Sequence, residues 1–133
     1  MTKAARAAIK VINEFSITEP NEYPIEDIII AKEIFFQNKP MKGADGRIIF
    51  GKNNAIITIN DSINYPQKRR FVAAHELGHF ELHKNLERFY NCTEADFMKW
   101  NKEGNHEVEA NEFAAELLMP RNIFKKELNN NKF

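Results

Sequence analysis

Apolar residues at Ile9, Ile12 and Phe15 recur at helical spacing and predict a first helix over residues 3–15. A loop containing Pro20 follows, over residues 16–23. Residues 24–34 predict a second helix, with Ile25, Ile28 and Ile29 inside it; the isoleucines also suit a strand. Phe35, Phe36 and Met41 flank a short strand. Arg47–Phe50 and Ala55–Ile59 read as two strands joined by the turn residues Gly51-Lys52-Asn53-Asn54. A long helix is expected from Pro66 through His83, with Asn64 or Ser62 as its cap. Phe71, Ala74, Leu77 and Phe80 give that helix an apolar stripe. Residues 85–105 are the least regular, with a short helix near 93–100. A last helix runs up to Pro120, built on Val108, Phe113, Ala114, Leu117 and Leu118. The order is helix, helix, sheet, helices, which is an α+β class with a sheet of three strands or more.

With 133 residues, the chain reads as one domain, its core at 24–128 between an N-terminal helix and loop (1–23) and a fraying tail (129–133). Nineteen basic and nineteen acidic residues balance, so charge gives no case for direct nucleic-acid or membrane binding. No stretch approaches the ~20 apolar residues of a membrane span, and the start does not read as a signal peptide. A single cysteine, Cys92, suits a reducing cytoplasm and reads as an ordinary small side chain. Lys68, Arg69 and Arg70 form a basic cluster, read as a solvated helix start. Phe97 is expected in the core. Tyr90 either packs or donates to an oxyanion.

The chemistry concentrates in His75-Glu76-Leu77-Gly78-His79. Residues four apart share a helix face, so His75 and His79 can reach one Zn²⁺ while Glu76 stands beside it as a proton acceptor for a water. A zinc site of this kind needs a third protein ligand. The metzincin pattern is excluded, because its Gly and His steps hold Leu82 and Asn85. His83 shares the face, but one straight helix puts it about 12 Å along the axis from His75, so it is expected to support a ligand or end the helix. Four glutamates crowd the last helix. Glu107 and Asn111 are four apart, as expected if Glu107 binds the ion and Asn111 holds a ligand histidine by its second nitrogen. Glu109 points about 200° away around the helix and reads as solvent-facing, though it stays open as the alternative ligand. Glu112 and Glu116 read as solvated.

Arg69 through His79, His83, and Glu107 through Pro120 with its Ala-Asn-Glu-Phe-Ala-Ala-Glu-Leu-Leu-Met-Pro ending resemble the ImmA/IrrE family of metallopeptidases. Ile57-Thr58-Ile59-Asn60 fits the strand that precedes the motif helix in that family. The resemblance spans roughly residues 24–125. It implies a small zincin-like domain with a gluzincin-like site: His75 and His79 as zinc ligands, Glu76 as base, Glu107 as third ligand. It also implies a separate protein substrate, of a class that is often a helix-turn-helix repressor of a mobile element or stress response.

Two classes of function follow. One is a zinc endopeptidase acting on a partner protein, which includes the peptidase half of a toxin–antitoxin-like pair. The other is a non-proteolytic sensor or binding module whose zinc is structural. A structural site needs four closed ligands and no base, whereas three ligands and Glu76 are legible here. Strand 55–60 is expected at the cleft edge, where an extended substrate segment adds to its free side.

Overall fold

A computed structural model describes residues 1–20, 22–100 and 104–120. The elements, in chain order, are α1 (Lys3–Glu14), α2 (Ile25–Ala31), β1 (Phe35–Lys39), β2 (Gly46–Phe50), β3 (Ala55–Asn60), α3 (Pro66–His83), β4 (Phe89–Cys92), α4 (Glu94–Phe97) and α5 (His106–Leu118). The α+β class expected from the pattern holds. The tail at 129–133 lies outside the described residues.

The four strands form one sheet in the order β1-β3-β2-β4. β1 runs parallel to β3, and β2 runs antiparallel to both β3 and β4. β3 is therefore internal, paired on both sides. This overturns the expectation that strand 55–60 offers a free edge to substrate. The physical reason is visible in its burial: Ile57, Thr58, Ile59 and Asn60 are all buried, as in a strand covered on both faces. The edges among the described strands are β1 and β4. Strand β4, in the stretch read as irregular, is the element missing from the sequence reading.

Helix α3 lies against β2 and β3 on one side and against α5 on the other, while α1 packs on α5. Every residue from Val72 to His79 is buried. An apolar stripe therefore describes it poorly: Ala74 and Leu77 are enclosed, but Phe71 and Phe80 are only partly so. A helix enclosed all round is one sandwiched between layers. Its polar residues must then find partners inside the protein, and they do so at the site described below. Gly78 makes the close approach possible, because a Cβ there would stand 3.1 Å from Phe113 Cδ1 and 3.2 Å from the Ala110 backbone.

The expected caps differ at α3. Tyr65 holds the N-cap position without a side-chain bond, and Pro66 opens the helix. Ser62 turns instead to Asn60, whose Oδ1 accepts from the Ser62 hydroxyl at 3.0 Å. The Asn60 amide donates to the carbonyls of Met41 and Ala44, both at 3.0 Å, fastening the β1–β2 connection to the end of β3. The basic cluster at the start of α3 is a set of staples rather than a solvated face. Arg70 donates to the Tyr23 and Pro20 carbonyls, each at 2.7 Å, and Arg69 reaches the Asn60 carbonyl and Asn38. Lys68 pairs with Asp45 at 3.3 Å. Among the described residues, no helix is long and apolar enough to cross a membrane.

Candidate metal centre between two helices and an edge strand

His75 and His79 sit one turn apart on α3, and α5 brings Glu107 opposite them. Glu107 Oε1 lies 2.8 Å from His75 Nε2 and 3.1 Å from His79 Nε2. Asn105 caps α5 by accepting from the backbone N–H groups of Glu107 and Val108, at 2.9 and 3.1 Å. That cap fixes Glu107 in the first turn, where the helix dipole also favours its negative charge.

The other ring nitrogens decide what the Nε2 atoms can do. Asn111 Nδ2 donates to the Asp96 and Lys99 carbonyls at 2.9 and 2.8 Å. Its Oδ1 therefore faces His75 Nδ1, at 2.7 Å, and must accept. His75 carries its proton on Nδ1, leaving the Nε2 lone pair free. The two carbonyls lie at the end of α4, whose start is fixed by a capping box between Thr93 and Asp96. On the neighbouring residue, His79 Nδ1 lies 2.9 Å from His83 Nδ1, and His83 Nε2 lies 2.7 Å from Glu109 Oε1. The carboxylate accepts from His83 Nε2–H, so His83 Nδ1 accepts from His79 Nδ1–H, and His79 Nε2 is also left unprotonated. Glu109 is thus not the solvent-facing charge expected. It anchors the end of a His–His chain.

Ring packing holds both imidazoles. His79 stacks on Tyr90 at 4.0 Å between centroids, and His75 meets Phe97 edge-on at 4.7 Å. The Tyr90 hydroxyl is engaged with His106 Nδ1 at 2.7 Å, not directed at an open site. Burial pushes its pKa up to about 12, helped by nearby acidic groups. Burial also lowers His79 to about 4, so its imidazole is neutral near pH 7. For Glu107, burial opposes the charge, but the closeness of His75 and His79 outweighs it and holds the carboxyl below the usual range.

Two neutral imidazole lone pairs and a carboxylate oxygen therefore converge with no proton between them. Such a set of acceptors fits a cation, and His, His and carboxylate are donors that suit a divalent metal. Glu76 lies fully buried on the same helix. Neither of its oxygens has a hydrogen-bond partner among the described residues. Burial raises its pKa well above normal; the nearby Cys92 thiol opposes this, and the charge of Glu107 reinforces it. Gly46 makes room for it: a Cβ there would stand 2.7 Å from Glu76 Oε2 and 2.6 Å from Val72 Cγ1.

Two further residues depart from their sequence reading. Cys92, taken as an ordinary small side chain, is buried on β4 with Sγ 3.6 Å from both His79 Nε2 and Glu107 Oε1. The signal that locates it is the β-prone Phe89-Tyr90-Asn91-Cys92 run, whose alternate residues Tyr90 and Cys92 turn inward. Glu116, read as solvated, is buried.

The sequence model of the Peptidase M78 family, the IrrE N-terminal-like domain, matches residues 31–132, and the chain belongs to that family. Among curated proteins it resembles Metallopeptidase ImmA of Bacillus subtilis (strain 168), with 31% identity over 112 residues, 81% of this chain and 59% of that protein. It also resembles the protein called Uncharacterized immunity region protein 2 of Bacillus phage phi105, with 41% identity over 71 residues, 53% of this chain and 42% of that one. The chain thus spans between about two fifths and three fifths of the length of these relatives.

Proposed function

We propose that the protein is a zinc-dependent endopeptidase, with His75, His79 and Glu107 holding the ion and Glu76 acting as general base. The observation that carries this reading is the convergence of His75 Nε2 and His79 Nε2 on Glu107 Oε1, each imidazole having its proton engaged on the far nitrogen. Bound there, zinc would supply a Lewis acid for a peptide carbonyl and an acidified water. Asn111, and the pair His83 and Glu109, keep both imidazoles in the tautomer and orientation that coordination needs. Glu76, buried and held in a raised pKa range, is suited to take a proton and pass it to the leaving amine.

The substrate class we favour is a separate helix-turn-helix regulator of a mobile element, cut in the cytoplasm. The support is the name of the phage relative, which places that protein in an immunity region, and the ImmA likeness. Strand β4 carries Tyr90 and Cys92 beside the site and, among the described residues, pairs only with β2. An extended substrate segment paired with its free side would pass close to the cluster.

A second reading, a structural zinc in a sensor or binding module, is favoured by one observation: Cys92 stands near enough to complete a closed set of four donors. The two are separated by Glu76→Gln. Metal analysis should give one zinc per chain in both proteins. Cleavage of a verified protein substrate should fall about 10²–10⁴-fold in the variant, the usual scale of general-base catalysis. Zinc bound by a protein that cleaves nothing, with Glu76 or without, would establish the structural reading.

A further inference from the structure

The donor atoms of His75, His79, Cys92 and Glu107 all lie within 4.8 Å of one another. Three come from helices α3 and α5; the fourth comes from the edge strand. The Cys92 position is specific. Bond lengths of about 2.3 Å for Zn–S and about 2.0–2.1 Å for Zn–N or Zn–O put sulfur about 3.5 Å from its neighbours along a tetrahedral edge. Cys92 Sγ stands 3.6 Å from His79 Nε2 and 3.6 Å from Glu107 Oε1. The thiol thus stands at a tetrahedral-edge distance from two of the other three donors, on the side of the site where a peptidase of this class takes its water.

Burial gives an independent indication. Cys92 has no solvent exposure, and nor has Glu76 next to it. Both Glu76 oxygens lack a hydrogen-bonding partner among the described residues. The thiol has one hydrogen for the two carboxylates beside it, Glu107 at 3.6 Å and Glu76, so it cannot satisfy both. A base waiting for a water thus faces a position filled by sulfur.

We propose that Cys92 is the fourth protein donor to the metal, closing the resting site, and that this thiolate must give way before water can reach Glu76. This rests on the reading of His75, His79 and Glu107 as the other donors. Closure forms a metal–sulfur bond, breaks the S–H bond and releases one proton to solvent. Opening replaces the thiolate with water, and the sulfur takes up a proton. No oxidant or reductant takes part. The device reconciles the two readings above, since a four-donor site that can open is both a stable resting centre and a latent enzyme.

The test uses Co²⁺ in place of zinc in the full chain. Cobalt bound through Cys92 should show a thiolate-to-cobalt charge-transfer band in the near ultraviolet, absent in Cys92→Ser. Cys92→Ser should also weaken Co²⁺ at least as much as the about 10–100-fold typical of losing an outer-shell partner. Since Cys92 is the only cysteine, alkylation of the unaltered protein gives a second readout that needs no variant. Cobalt should protect the thiol, and a chelator should restore its reactivity. Cobalt bound with ligand-field bands that Glu107→Gln abolishes, but with no charge-transfer band and no protection, would overturn the role of Cys92 and leave the three-donor site standing. Failure to bind cobalt at all would overturn both.

Discussion

The Nδ1 atoms of His79 and His83 lie 2.9 Å apart on successive turns of α3, and only one of them can carry the shared proton. Glu109 at the far side of His83 settles which, since it accepts from His83 Nε2. Glu109 thereby fixes the tautomer of His79, whose Nε2 faces Glu107.

A ranking of variants follows. Glu107→Gln should lose most of the metal affinity, because a neutral amide replaces the anionic oxygen that, among the described residues, faces both Nε2 atoms. Glu109→Gln and His83→Ala should each lose about 10–100-fold, the range for outer-shell partners of a ligand histidine. Competition against a chromogenic chelator measures all three. Full affinity in Glu107→Gln alongside loss in Glu109→Gln would transfer the ligand role to Glu109.

Asn111→Ala should reduce both affinity and stability. It leaves the buried His75 Nδ1–H without its acceptor and takes one donor from the Asp96 and Lys99 carbonyls, of which Asp96 keeps the Lys99 backbone N–H. An unsatisfied buried group costs about 1–3 kcal/mol, so denaturant unfolding of the metal-free variant should show at least that loss. A metal-free stability equal to the parent's would mean that water replaces the amide.

Much of this arrangement was legible from spacing. The four-residue steps from His75 to His79 and from Glu107 to Asn111 are helix-face relations, which need no tertiary information. Glu109 was misread for the same reason: 200° from Glu107 is away from one partner but towards another, and only the crossing of α3 over α5 brings His83 there. An edge position for strand 55–60 conflicts with its unbroken Ala55-Ile56-Ile57-Thr58-Ile59 run, which is what a strand covered on both faces requires. The Phe89–Cys92 run puts Cys92 on the same strand face as Tyr90, but its approach to His79 depends on β4 pairing with β2, Cys92 opposite Gly46.

Two glycines should give opposite signatures. Gly46→Ala puts a methyl 2.7 Å from Glu76 Oε2 and 2.6 Å from Val72 Cγ1, so the base must move while the donors stay. Turnover should fall with metal content unchanged. Gly78→Ala instead drives Phe113 and Ala110 from α3, shifting the helix that carries Glu107. Metal affinity should fall in that variant. Both should cost about 1–3 kcal/mol of stability, the usual range for an overpacked core. Zinc titration and peptidase assay on the same preparations separate the two, and identical behaviour would refute the division of roles.

Metal removal should destabilise the fold itself. The candidate donors come from α3, α5 and β4, so one ion would tie both central helices to an edge strand. Without it, three acceptors and a thiol face one another in a buried space. An ion that binds only the folded chain adds about 4.1 kcal/mol at a free concentration a thousand times its Kd. Thermal unfolding with zinc and with chelator should therefore differ by many degrees, and the midpoint should rise with zinc concentration. In Glu107→Gln the same titration should move the midpoint far less, while a variant in the exposed β2–β3 turn, Lys52→Ala, should leave the shift intact. Equal midpoints with and without zinc in the parent protein would mean that no ion occupies this site.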